Sequence, residues 1–195
     1  WRTHDTGVPF IETPGVRPVI VALSGYQEHG KTTAAQWLVD HHGFVRTSFA
    51  DPIRRALCAA TGVSESVFVG PSKLEPCAAL GGLTPRAAME KLGDWGRSVS
   101  SAFWCEAWAQ TRPRAPLLVI DDARYDFEVG WAQGVATRDG AAFEFIAIHR
   151  PDWATGTAHS SNRLPTWTIS RHDVVNDGSV SALGFKVEAV LREYL

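Results

Sequence analysis

The 195-residue chain has three cysteines, no apolar run approaching the ~20 residues of a bilayer span, no surplus of either charge and two asparagines. Each shortage excludes something. Cys58, Cys77 and Cys105 are odd in number and lack the paired spacing of a zinc site. They read as reduced, mostly buried thiols of a cytoplasmic protein. Without a long apolar run, no membrane partner is expected. Residues 1–16 alternate Pro, Gly, Thr and charges around no apolar centre, so they read as a flexible extension and not as a signal peptide. A net charge of −2 is a poor match to a dedicated nucleic-acid binder. The seven histidines form no H-E-x-x-H or similar pattern, which argues against zinc.

What is present is an alternation of short apolar runs with helical patterns. RPVIVALS (17–24), FVRTSFA (44–50), PLLVID (116–121), FEFIAIHR (143–150) and HDVVND (172–177) read as strands, the first continuous enough to be buried on both faces. Between them, helices are predicted over 31–42, closed by Gly43, and over 51–61, with Asp51 as N-cap and Pro52 first in the helix. Further helices are predicted over 84–97, opened by Thr-Pro, about 100–112, 125–134, closed by Gly134, and 179–195. Residues 62–83 read as surface chain. Strands alternating with helices imply one α/β domain over 17–195, a three-layer fold with about five mainly parallel strands and helices on both faces. In such a sheet ligands sit at the carboxyl ends of the strands. Gly25 to Thr32, Asp51, Asp121 and Asp122, Arg150 and Asn176 all fall at that edge.

The stretch GYQEHGKT, residues 25–32, has the spacing G-x-x-x-x-G-K-T between a strand and a helix. Such a loop aims backbone N–H groups and a helix N-terminus at an anion. Gly25 and Gly30 allow the main chain to approach phosphate oxygens, Lys31 would bridge the outer phosphates, and the Thr32 hydroxyl would ligate Mg²⁺. This is the signature of a P-loop NTPase fold. Glu28 and His29 read as solvated loop positions and not as catalysts, though His29 and Thr33 belong to the stretch that wraps the donor. A second metal anchor should end an apolar strand; the pattern alone leaves Asp121 and Asp122 both open.

A guanine-reading N-K-x-D is missing, since Asn162 and Asn176 precede Arg and Asp, so a GTP switch is excluded. A small phosphoryl-transfer kinase fits the length and needs a carboxylate near the acceptor, for which Asp51 is placed, and arginines around the transferred group. Several blocks, FADPIRR (49–55), LTPRAAMEKLGDWGR (83–97), DARYDFE (122–128), HRP (149–151), HSSN (159–162) and NDGSVSAL (176–183), stand in order along the chain. Together they resemble the deoxynucleoside monophosphate kinases of tailed bacteriophages. The resemblance implies ATP on Gly25, His29, Gly30, Lys31, Thr32 and Thr33, with Arg150, Asn176 and Gly178 toward the donor nucleotide. It implies a catalytic set of Lys31, Asp51 and Arg124, and an acceptor side of Asp51, Arg54, Arg86, Trp95 and Arg97. It favours Asp122 over Asp121 as the partner of Thr32 at the metal. An acceptor-binding insertion would span about 62–112 and a lid about 151–165, with His159 and Arg163 as lid candidates.

Thr32 stands where that family often has Asp, Asn162 where it has Glu, and Tyr125 where it has Phe. The expected activity is ATP- and Mg²⁺-dependent phosphorylation of a deoxynucleoside 5′-monophosphate. Two rivals stay open: a kinase of hydroxymethylated pyrimidines within phage DNA, the only reading with a nucleic-acid partner, and a nucleotide-binding protein without turnover. The sequence leaves the preferred base and the oligomeric state open, a homodimer included.

Overall fold

The computed structural model describes residues 17–151, 164–169 and 171–195. The extension at 1–16 and most of the lid candidate, with His159 and Arg163, lie outside the described residues. Five strands, β1 (Val19–Ser24), β2 (Val45–Thr47), β3 (Leu117–Ile120), β4 (Ala142–His149) and β5 (Arg171–Val175), form one sheet in the order β2-β3-β1-β4-β5, every pair parallel. β1 is therefore central, and all six of its residues are buried.

The period of two along β1 divides the core. Val19, Val21 and Leu23 face α1 (Lys31–His42) and α6 (Val180–Leu191), meeting Ala34, Leu38, Leu183 and Val187. Ile20 and Ala22 face α4 (Phe103–Thr111) and α5 (Asp126–Arg138), meeting Trp108, Val129, Ala132 and Val135. Alternation sends successive side chains to opposite faces, and each fully buried Val, Ile or Leu contributes about 1.5–3 kcal/mol. Two cores on one central strand hold the end of β1 rigid, and the residues that follow it inherit that rigidity.

Helices α2 (Asp51–Thr61) and α3 (Pro85–Val99) pack with α4 beside the carboxyl edge of the sheet. Thr84 caps α3, its side chain accepting from the Ala87 N–H at 3.1 Å. The chain between α2 and α3 is three short 3₁₀ turns, Glu65–Phe68, Pro71–Leu74 and Ala78–Leu80, the first pinned by buried Phe68. Gly134 does not end α5, as the sequence pattern suggested; a Cβ there would meet open space, and a glycine inside a helix costs only about 1 kcal/mol. The helix runs on to Arg138 and stops before Gly140, whose φ is +68°. Cys105 is buried while Cys58 and Cys77 are half-exposed, so only one thiol is as enclosed as expected; all three are free.

Gly96 shows how the helix pair α3–α4 closes. The Trp104 indole lies against it and donates from Nε1 to the Gly93 carbonyl at 3.1 Å; a Cβ on Gly96 would overlap that indole. Gly96→Ala should therefore lower stability by about 1–3 kcal/mol through overpacking, measured by urea unfolding with the m-value unchanged.

Candidate active site

The chain leaving β1 turns through Gly25, with φ +151°, Glu28, with φ +65°, and Gly30, with φ +101°, before entering α1 at Lys31. The glycines are required by more than φ. A Cβ on Gly25 would lie 2.5 Å from the Ile148 carbonyl oxygen, and one on Gly30 would lie 2.6 Å from Asn176 Nδ2. That amide nitrogen donates to the His29 carbonyl at 3.0 Å, so β5 braces the loop from behind. Lys31 folds back over the loop, its ammonium donating to the carbonyls of Gly25 at 2.6 Å and Tyr26 at 2.7 Å. Burial, and then the Arg124 guanidinium, push its pKa down to about 8, with Asp121 and Asp122 opposing. Burial and a neighbouring cation both disfavour the charged form, and an anion placed beside the ammonium would favour it.

Two adjacent carboxylates end β3, and the structure gives them different work. Asp121 Oδ2 accepts from the Thr32 hydroxyl at 3.1 Å and pairs with Arg46 at 2.8 Å. Burial, with Asp122 beside it, raises its pKa. Asp122 accepts from Ser48 Oγ at 2.6 Å and from the N–H groups of Phe49 at 2.8 Å and Ala50 at 3.0 Å. It braces the connection from β2 to α2. The carboxylate that meets the Thr32 hydroxyl is therefore Asp121, where the resemblance favoured Asp122, and both acids line the cleft.

Asp51 needs correction too. Its carboxylate accepts from Thr47 Oγ1 at 3.0 Å and Ser48 N at 2.8 Å and pairs with Arg54. It does not line the cleft. Asp51 opens helix α2 by bonding the turn before it and orients Arg54, which does line the cleft.

That cleft, of about 800 Å³, runs from the phosphate loop to the α2–α3 side. Gly25, Gly30, Lys31, Thr32 and Thr33 line one end, with Arg150, Asn176 and Gly178 beside them; Arg54, Arg86, Arg97 and Arg124 line the rest. On α3 the lining positions 86, 89, 90, 93 and 97 follow the helical period. Trp95 falls on the opposite face, 54% exposed and edge-on to Phe103, and leaves the predicted set for that reason. Arg97 pairs with Asp94 at 2.7 Å and lies over the Tyr125 ring. Arg86 pairs with Glu90 at 3.1 Å and reaches across to Gln27 Oε1 of the loop, at 3.2 Å from both terminal nitrogens.

His29, expected in solvent, is 4% exposed and turned inward, with Nδ1 3.1 Å from the Ile148 carbonyl; Glu28 is exposed as expected. Sequence reading missed Arg46, Lys73, Phe68, Met89, Trp104 and Glu128, all of which line the cleft. Met89 was recoverable, three residues beyond Arg86 on one helical face. Arg46 and Phe68 carried no signal, since tertiary packing alone brings them in.

A strand–loop–helix with the Gly25-to-Thr32 spacing, on the central strand of a parallel sheet with helices on both faces, defines the class: a three-layer α/β P-loop NTPase fold. No family model matches the chain. Over 175 residues it is 27% identical to the "Putative deoxynucleotide monophosphate kinase" of Acanthamoeba polyphaga mimivirus, covering 80% of this chain and 86% of that protein. Similar solved structures include a gluconokinase from Sinorhizobium meliloti 1021, with 10% identity, TM-score 0.49, and 90% and 93% of the two chains covered. Another is the Mycobacterium tuberculosis APS kinase CysC in complex with AMPPNP and APS, with 14% identity, TM-score 0.47, and 91% and 99% covered.

Glu128, in the first turn of α5, accepts from the Arg124 N–H at 2.7 Å and the Tyr125 N–H at 3.1 Å and so fixes the loop that carries Arg124. Burial, then the charge of Asp122, raises its carboxyl from 4.5 to about 8. The folded chain then holds a proton that the unfolded chain releases. The stability this contributes is full below the unfolded value and is lost as pH rises through the folded one. Between about pH 5 and about pH 8, wild type should lose stability relative to Glu128→Gln, measured by thermal unfolding of both across that range.

Proposed function

We propose that the chain is a phosphotransferase that uses ATP and Mg²⁺ to convert a deoxynucleoside 5′-monophosphate to its diphosphate. The single observation that carries the reading is the continuity of the cleft. The phosphate loop with Lys31 and the cationic set Arg54, Arg86, Arg97 and Arg124 line one cavity of about 800 Å³. The name of the mimivirus relative supports the deoxynucleotide acceptor.

The donor set fits a hard divalent cation. Thr32 Oγ1 and Asp121 Oδ2 lie 3.1 Å apart, and Arg46 already balances the buried carboxylate where a cation would. Among the described residues no three His, Cys, Asp or Glu side chains gather as a separate metal site. Thr32 and Asp121 would hold Mg²⁺, Asp121 directly or through water, with phosphate oxygens completing the shell. When bound, the ion would neutralise charge on the outer donor phosphates.

The rest is positioning by the chain's own groups. Loop amides and Lys31 hold the donor phosphates. For that, the ammonium must exchange the Gly25 and Tyr26 carbonyls for phosphate oxygens, which favour its charged form. Arg54, held by Asp51, and Arg86, held by Glu90, face the incoming monophosphate. Arg124, on a loop fixed by Glu128, and Arg97 offset charge on the group in transit. A phosphate acceptor is already ionised, so alignment and charge neutralisation serve it and no general base is required. Phe49, Ile53, Phe68, Met89 and Trp104 give the acceptor's base and sugar an apolar wall.

The test is transfer from labelled ATP to a panel of deoxynucleotides, both free and within oligonucleotides. Product from free monophosphates is expected; transfer only to oligonucleotides, or to nothing despite ATP binding, overturns the reading. Lys31→Ala should lower kcat/KM by at least about 10²-fold. Asp121→Asn should raise the Mg²⁺ concentration at half-maximal rate, whereas Asp122→Asn should chiefly lower the melting temperature.

A further inference from the structure

The His29 side chain sits behind the phosphate loop and not in the cleft. Nδ1 lies 3.1 Å from the Ile148 carbonyl oxygen and 3.4 Å from the Arg150 N–H. Nε2 is buried with no hydrogen-bond partner among the described residues. The Tyr26 ring meets the imidazole edge-on at 5.3 Å. The residue's own carbonyl receives Asn176 Nδ2 at 3.0 Å. One residue of the loop is thus fastened at two points, to β4 by its side chain and to the end of β5 by its main chain.

We infer that His29 is a positioning residue for the donor phosphates: a neutral imidazole, protonated at Nδ1, that ties the phosphate loop to β4 and sets the curve on which the loop amides converge. This rests on the reading of residues 25–32 as the donor-phosphate site.

The chemistry selects that form. Nδ1 cannot donate to Ile148 O and accept from Arg150 N at once; the carbonyl needs a donor and is the nearer partner. Protonating Nε2 as well would put an N–H where no acceptor is found. Among the described residues, the charged and titratable groups that face the ring are Lys31 on α1 and His149 and Arg150 at the end of β4, none of them an anion. Burial pushes the imidazole's pKa below its ordinary value; the Ile148 hydrogen bond opposes this, and the three cationic or titratable neighbours add to the fall. The imidazole therefore stays neutral, and its one donor is committed to β4. Gly25 is pressed against the same Ile148 carbonyl, so losing the tether would loosen the loop where its two ends meet.

The experiment is calorimetric titration of the full chain with inorganic triphosphate and with ATP, for wild type, His29→Ala, His29→Asn and His29→Gln, beside steady-state kinetics. Asn carries its amide nitrogen where Nδ1 stands; Gln carries its own one bond farther out. His29→Ala should bind both ligands about tenfold more weakly. His29→Asn should recover to within about threefold of wild type, while His29→Gln should not. KM for ATP should rise without a rise in KM for the acceptor. Equal binding of triphosphate by His29→Ala and wild type would overturn the inference, as would rescue by Gln as good as by Asn. If His29→Ala does not fold, judged by circular dichroism, the Asn–Gln comparison decides. Wild type binding neither ligand would remove the donor-site reading and the inference with it. Wild type binding triphosphate but transferring to no nucleotide would remove only the proposed acceptor, and the binding series would still decide the role of His29.

Discussion

The close approach of Gly25 to the Ile148 carbonyl governs the rest of this structure. At that point the chain leaving the central strand must turn within contact distance of its neighbouring strand, and only a residue without a Cβ passes. The turn sets the loop over the carboxyl edge of β1, where two hydrophobic cores meet on opposite faces of one strand. A loop anchored on so firm a base holds its amides in place before any ligand arrives, so little ordering entropy remains to oppose binding.

Charge follows from that placement. The loop, β2, α2, α3 and the segment after β3 bring lysine and arginine side chains into one cleft, and the carboxylates around it are largely committed to holding other groups. Asp51 orients Arg54, Glu90 pairs with Arg86, Asp122 braces the β2–α2 connection, and Glu128 fixes the loop bearing Arg124. Much of the acid near the cleft thus works as scaffolding for basic groups. Burial is the first cause both of the lowered pKa of Lys31 and of the raised pKa of Asp121, since it disfavours the charged form of each.

Much of this was legible from residue order. The glycine spacing, the apolar run before it and the helix after it located the loop, and strand–helix alternation gave the parallel sheet. The strand order, with β1 between β3 and β4, was not legible, because any of several crossovers satisfies the same alternation. Errors clustered where one residue type serves two purposes. An aspartate before a proline signals both a helix start and a carboxylate near a site, and at Asp51 the turn claimed it. A histidine between charged and small residues suggested solvent, yet the neighbouring strand enclosed His29. Trp95 was drawn in by its place in a motif, whereas the helical period, readable in the same residues, turns it outward.

Arg86 touches both walls of the cleft, Glu90 on its own helix and Gln27 on the loop. A side chain that bonds to both walls of one cleft would link what binds against each. A ligand that draws this guanidinium toward α3 releases Gln27, and one that reshapes the loop through Gln27 re-aims the guanidinium. Thermodynamic reciprocity then requires each ligand to alter the other's affinity by the same factor. Were donor and acceptor to bind together, this one arginine would couple them without any movement of domains.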